Sequence, residues 1–208
     1  GCRIVKFGVE SGSPKIRATV MNRHMSNDRI VEALGYVHRH GMHSSVFIII
    51  GLPCENREDV MDTVRFLGRS QPGRFRWTYF FPFPGTDSQR LSIEGGYLNP
   101  DKADTLMNFT DESLLDFGEE HNLFLEKVGR IMPWFVNAEA GFEASPQYRE
   151  HVERILAMDR AEWERVSPTL LEEDKKLSRE FQQKNLRHYA VKYNPFMGVI
   201  SDYFMNEK

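Results

Sequence analysis

Three short segments of this chain combine residue types that could hold a small polar ligand. The first is Gly8-Val9-Glu10-Ser11-Gly12-Ser13, followed by Met21-Asn22-Arg23. Glu10 offers a carboxylate that accepts hydrogen bonds from hydroxyl or ammonium groups. Ser11, Gly12 and Ser13 are small enough for backbone to approach a ligand closely. Arg23 offers a forked donor suited to a carboxylate. The second segment is Ile49-Ile50-Gly51-Leu52-Pro53-Cys54-Glu55, an apolar run ending in a tight turn. Here Ile50, Gly51 and Leu52 can present backbone groups and an apolar contact, and Glu55 reads as a tie between loop and following helix. The third is Phe81-Pro82-Phe83-Pro84-Gly85-Thr86-Asp87, rich in turn formers. Each also has a plainer reading: Glu10 as a helix N-terminal acid, Arg23 as a surface arginine, and Gly51-Leu52-Pro53 as a turn common to many α/β folds.

The elements that would position these segments alternate. Arg3 to Val9 is β-branched and strand-like, and Glu10 to Pro14 break it. A short helix enters at Pro14 and runs to Met21. Ser26 or Asn27 caps the next helix, whose apolar face is Ile30, Leu34 and Val37; Gly41 ends it. Ser45 to Ile50 is continuously apolar, the pattern of a strand buried on both faces. Asn56 caps a helix with Val60, Val64 and Leu67 on its apolar face. Arg76 to Phe81 is a third strand. Strand–helix alternation implies parallel pairing and right-handed crossovers. Beyond Gly96 the pattern turns helical: Leu114, Leu115, Phe117 and Phe124 mark one segment, Tyr148, Val152 and Ile155 another. Ser167-Pro168 opens a charged helix through Lys184. The run Glu172 to Lys176 reads as a solvated face, and Trp134 and Phe135 as packing anchors.

Composition narrows the function classes. The formal charge of −3 argues against a dedicated nucleic-acid binder. No apolar run approaches the ~20 residues of a membrane span. Two cysteines, Cys2 and Cys54, are too few for a disulfide framework and fit a reduced, cytoplasmic setting. The nearby His38, His40 and His43 read as structural, because positions two apart on a helix do not face each other. Trp77, Tyr79, Phe80, Phe81 and Phe83 read as barrel core, with a substrate cavity as the other use. Gly1, rather than Met, opens the sequence, and the N-terminus is expected to be a cut inside a domain.

Over residues 1–95 the sequence resembles radical S-adenosylmethionine (SAM) proteins, most closely the branch with cobalamin-binding and methylthiotransferase-like members. In that family one strand ends in Glu-Ser-Gly-Ser with Met-Asn-Arg about a dozen residues on, the next in Gly-Leu-Pro-x-Glu, and the next in Pro-x-Pro-Gly-Thr. The resemblance implies an α/β fold: a partial (β/α) TIM-like barrel half of about three parallel strands over residues 1–95, then an all-α region over 96–208. It implies SAM binding through Glu10, Ser11, Gly12, Ser13, Arg23, Ile50, Gly51 and Leu52, with adenine facing the Gly51 turn. It further implies a [4Fe-4S] cluster that cleaves SAM reductively to a 5′-deoxyadenosyl radical, and raises cobalamin as a cofactor of the intact protein.

Two departures stand out. Glu10 to Arg23 spans thirteen steps rather than the usual twelve, and one extra helical residue turns a side chain by ~100°. The Cys-x3-Cys-x2-Cys motif is not in this sequence, and Cys2 and Cys54 cannot replace three thiolates. The expectation is therefore the C-terminal portion of a radical SAM enzyme, inactive alone, whose partner is a missing N-terminal barrel half and whose substrate is a small molecule. The alternative is a non-catalytic remnant acting as a binding or interaction module. A barrel hydrolase or aldolase lacks a convincing second carboxylate or lysine at a strand end.

Overall fold

The computed structural model describes residues 1–98 and 112–191. Three parallel strands form one sheet in the order β1 (Ile4–Glu10), β2 (His43–Ile50), β3 (Arg74–Tyr79). Between β1 and β2 lie α1 (Pro14–Met21) and α2 (Asn27–Arg39); α3 (Arg57–Ser70) joins β2 to β3, and α4 (Asp87–Glu94) follows β3. This is the expected partial α/β barrel arrangement. Parallel neighbours need such crossovers, because a hairpin cannot return a chain in the same direction. All three turns that follow the strands therefore leave the same end of the sheet. Among the described residues β1 pairs only with β2, so its other edge is open.

Local signals explain the helices. Ser26 caps α2, accepting from the Arg29 amide, and Ile30, Leu34 and Val37 are its buried face. Asn56 and Asp59 close a reciprocal capping box at the start of α3. Val60, Val64 and Leu67 point into the core.

The C-terminal region is helical, with α5 (Glu119–Glu139), α6 (Ser145–Ala157), α7 (Arg160–Val166) and α8 (Leu170–Gln183). α5 packs on the sheet: Trp77 Nε1 donates to the Gly129 carbonyl at 2.8 Å and Tyr79 Oη to that of Leu125 at 3.2 Å. Gly129 is required there, since a Cβ would collide with the Tyr79 hydroxyl. Ile131 leaves helical dihedrals two residues before Pro133, as expected where proline removes a backbone donor. The principal core runs from the sheet through α2, α3, α5, α6 and α8. A smaller one gathers Ile16, Val20, Leu52, Phe80 and Leu115 under α1.

Several expectations change. β3 begins and ends two residues earlier than read, because Phe80 already belongs to the turn. Leu114, Leu115 and Phe117 precede α5 rather than sharing a helix with Phe124; Leu115 instead makes an isolated antiparallel bridge with Leu98. Ser167 opens a 3-10 turn, and Thr169 precedes α8. Asp174, inside the charge run read as solvated, is fully buried and accepts from Trp134 Nε1 at 2.7 Å. β2 is not buried on both faces: Val46, Ile48 and Ile50 are covered, while Phe47 and Ile49 are half-buried on the opposite face. The helices cover one side of this sheet, and an apolar run cannot say which of its residues lies on which side.

Candidate functional site

The uncovered face of the sheet is where the first segment delivers its side chains. Glu10 ends β1 with φ +68°, a left-handed backbone conformation that costs a non-glycine residue energy. The pairing register with β2 shifts between Gly8 and Glu10. This local irregularity folds the Glu10 carboxylate back over Gly8, whose missing side chain leaves room: a Cβ on Gly8 would run into Glu10 Oε1. Gly8 is thus a site residue that sequence reasoning passed over; the strand-interior glycine was the available signal.

Arg23 completes the pair. Its Nη1 donates to the Gly8 carbonyl at 2.9 Å and to Glu10 Oε1 at 3.3 Å. The thirteen-residue spacing causes no rotation, because α1 ends at Met21 and Asn22 caps it with φ +51°. Arg23 stands outside the helix, its amide bonded to the Arg17 carbonyl at 2.9 Å. Partial burial raises the Glu10 pKa, and the Arg23 charge and hydrogen bond pull it back down. The second Glu10 oxygen has no hydrogen-bond partner among the described residues, so it can accept from a ligand.

Ser11, Gly12 and Ser13 turn away from that face. Ser11 Oγ lies 3.3 Å from Thr63 Oγ1, and the Gly12 amide donates to the same hydroxyl at 2.8 Å. A Cβ on Gly12 would come within 2.5 Å of the Thr63 Cα. The closeness these small residues permit is to α3. Ser13 caps α1 and donates to Asp59 Oδ1 at 2.9 Å.

Arg17, unnoticed in the sequence, locks this turn. It is fully buried. Its Nη1 donates to the Ser11 carbonyl at 2.6 Å, and its Nη2 to the Met25 carbonyl and Asn27 Oδ1 at 2.8 and 2.6 Å. Asn27 in turn donates to the Gly12 carbonyl at 2.8 Å. One guanidinium therefore fixes the loop carrying Arg23 to the turn carrying Glu10. An arginine on a short amphipathic helix gives no local sign of burial.

The second turn is sealed. Gly51 adopts φ +72°. Glu55 Oε2 accepts from the Gly51 and Leu52 amides at 2.6 and 3.2 Å, the tie expected of it. Ile50 and Leu52 are fully buried, and the Leu52 side chain packs with α1 and Phe80. Both turn amides are thus engaged within the protein. Burial raises the Glu55 pKa to about 8, with the two amide bonds lowering it and nearby Asp59 raising it. In the third turn Thr86 caps α4 and bonds the Phe83 carbonyl at 2.8 Å, leaving Phe83 exposed.

Glu10, Phe47, Ile48, Ile49, Arg76, Trp77 and Thr78 line a cavity of about 250 Å³ on the sheet. Neither Gly51 nor Pro84 is among its lining residues. The histidines read as structural have local partners: His38 Nε2 lies 2.8 Å from Ser44 Oγ and His40 Nδ1 2.8 Å from the Tyr36 carbonyl.

Comparison with known proteins bears on this arrangement. Residues 1–67 match the Radical SAM superfamily. That span contains β1, β2, the Glu10–Arg23 pair and the Gly51 turn, and so supports the resemblance those segments carry. A protein of Pyrococcus horikoshii described as an uncharacterised methyltransferase is 28% identical over 123 residues, which cover 55% of this chain and 27% of that protein. The chain thus matches about a quarter of that relative's length.

The cofactors this family implies can be weighed against the residues. Glu10 and Arg23, one carboxylate oxygen still open and one guanidinium half-exposed, suit the ammonium, carboxylate or ribose hydroxyls of SAM. An iron–sulfur cluster does not fit this chain. It has two cysteines, and among the described residues no three His, Cys, Asp or Glu side chains group to hold a metal. No described helix is long and apolar enough to cross a membrane.

Proposed function

We propose that this chain supplies the SAM-facing portion of a radical SAM enzyme, with Glu10 and Arg23 as its principal contacts to SAM. The carrying observation is the Glu10–Arg23 pair, held at the carboxyl end of β1 on the uncovered sheet face, where ligands of parallel α/β barrels bind. The polar groups of the first turn are arranged for this. Glu10 accepts from the SAM ammonium or a ribose hydroxyl, and Arg23 donates to the SAM carboxylate. Ser11, Gly12 and Ser13 act by anchoring the turn on α3, and Ile50, Gly51 and Leu52 by forming the buried neighbouring turn that Glu55 closes. A reduced cluster beside the bound SAM would supply the electron that cleaves it to methionine and a 5′-deoxyadenosyl radical. The name of the Pyrococcus horikoshii relative favours methyl transfer as the reaction class.

The cluster in this reading comes from an N-terminal barrel half that pairs with the open edge of β1, and a cobalamin domain in the intact protein rests on the motif resemblance. Finding an in-frame Cys-x3-Cys-x2-Cys in the coding sequence upstream of Gly1 supports this; its absence turns the reading into that of a binding module. For SAM itself, calorimetric titration of the cluster-loaded, intact enzyme is the test. Glu10→Ala and Arg23→Ala should each weaken SAM binding about tenfold, the loss of one charge-assisted hydrogen bond. Unchanged affinity in both variants would remove these residues from the site.

A further inference from the structure

The uncovered sheet face carries more positive charge than the Glu10 pair accounts for. By register, Lys6 lies beside Ser45 and Ser45 beside Arg74; Phe47 lies beside Arg76 and Ile49 beside Thr78. Side chains on alternate positions share a face, so this side of the sheet presents Lys6, Arg74 and Arg76 around two apolar side chains. Arg74 is engaged: its Nε donates to Ser45 Oγ at 2.9 Å. Burial and the adjacent Arg76 charge lower its pKa. Arg76 makes no hydrogen bond or ion pair among the described residues, although it lines the 250 Å³ cavity. The one carboxylate in that lining, Glu10, already has Arg23.

We propose that this cavity is an anion subsite in which Arg76 binds the carboxylate or phosphate of a small substrate while Phe47 and Ile49 hold its apolar part. The inference rests on the SAM reading of the same sheet face and extends it to the second ligand. A planar guanidinium meets two oxyanion atoms at once, and Thr78, one alternation along β3, offers a hydroxyl toward the same cavity. The occupant is a small molecule because the space falls just below the roughly 300–1,000 Å³ of drug-sized sites. It is anionic because unpaired positive charge among apolar side chains is stabilised by an opposite charge and by little else.

Phenyl phosphate and benzoate are suitable probes, and benzyl alcohol is their neutral counterpart. Each is titrated into the full chain while the amide resonances of residues 47–49 and 76–78 are followed by NMR. Saturable binding of at least one anion is expected, phosphate and carboxylate being told apart by which is tighter, with no saturable response to benzyl alcohol. Arg76→Gln should weaken the anion at least tenfold. Arg76→Lys, which keeps charge and loses the fork, should lie between. Phe47→Ala should weaken the probe without removing its salt sensitivity. Equal binding of alcohol and anion, equal affinity in wild type and both Arg76 variants, or no binding to wild type overturns the proposal. In the cluster-loaded enzyme Arg76→Gln should leave SAM affinity unchanged; a tenfold loss there assigns Arg76 to SAM and overturns the separate subsite. Anion binding that survives Glu10→Ala, together with SAM affinity indifferent to Glu10, sinks the SAM reading and leaves the subsite standing.

Discussion

Two glutamates, one ending β1 and one in the turn after β2, are held in opposite ways. Glu10 is partly exposed, adopts a left-handed backbone, and shares one oxygen with Arg23 while the other stays open. Glu55 is 3% exposed, and one of its oxygens satisfies two backbone amides while the other is buried without a hydrogen-bond partner among the described residues. Both carboxyls are shifted up by burial, but Glu10 is ion-paired with Arg23, whereas Lys15 pairs with Asp59 and acts on Glu55 only from a distance. The contrast teaches that a carboxylate at a strand end stays available to a ligand when the fold leaves a lone pair uncovered, and becomes a clamp when the loop's own amides consume it.

The largest effect that tests this contrast is on stability at the clamp. Glu55→Ala strands two buried amides and opens a void, and should cost about 3 kcal/mol in urea unfolding. A loss under ~1 kcal/mol would mean that the turn holds itself. The pH dependence has a definite sign. The folded pKa of about 8 lies above the ordinary 4.5, so between these values the native state binds more protons than the unfolded one. This contribution is in full below pH 4.5 and is lost as pH rises towards 8. Every tenfold gain in proton affinity on folding corresponds to about 1.4 kcal/mol. Glu55→Gln should flatten that slope while keeping most of the stability near neutral pH; an unaltered slope assigns it to other groups.

Gly12→Ala comes next. Its Cβ would lie 2.5 Å from the Thr63 Cα and 2.7 Å from the Asp62 carbonyl oxygen, both backbone. A loss of about 2 kcal/mol is expected, measured by thermal unfolding. Gly8→Ala should cost less, about 1 kcal/mol, because a side chain rather than backbone stands in the way. It should nevertheless displace the Glu10 carboxylate and weaken SAM binding as strongly as Glu10→Ala. If Gly8→Ala leaves SAM affinity intact, the folded-back carboxylate is not the binding form. The smallest change is at Glu10 itself. Glu10→Gly relieves the positive φ and should leave stability equal or raise it by up to ~1 kcal/mol, while SAM affinity falls. A substantial loss of stability instead would make Glu10 a second clamp and erase the contrast.

Much of this molecule is legible in its sequence. The capping residues Ser26 and Asn56, the apolar stripes of α2 and α3, and the alternation that forces parallel strands are all written within a few residues of one another. The three turns were equally visible, and the helical C-terminal region was recognised by period. The candidate site was legible in Glu10 and Arg23, which the structure pairs, but not in what surrounds them. Ser11, Gly12 and Ser13 read as making room for a ligand, and the room they make is occupied by α3 on the side seen here. The extra residue between Glu10 and Arg23 does not turn Arg23 away, because the helix stops before it.

By itself the sequence determined the strand–helix alternation, most of the helices and the positions of the turns, since hydrogen bonding along a helix and alternation along a strand act between near neighbours. Only the tertiary structure decided which face of the sheet the helices cover. That choice buried Ile50 and Leu52, left Phe47, Ile49 and Arg76 lining a cavity, placed Arg17 and Asp174 out of solvent, and gave Glu10 and Glu55 their different fates. The reason is that burial is set by what packs from elsewhere: Trp134 meets Asp174 from 40 positions away and Ser13 meets Asp59 from 46, and no local pattern encodes such a meeting.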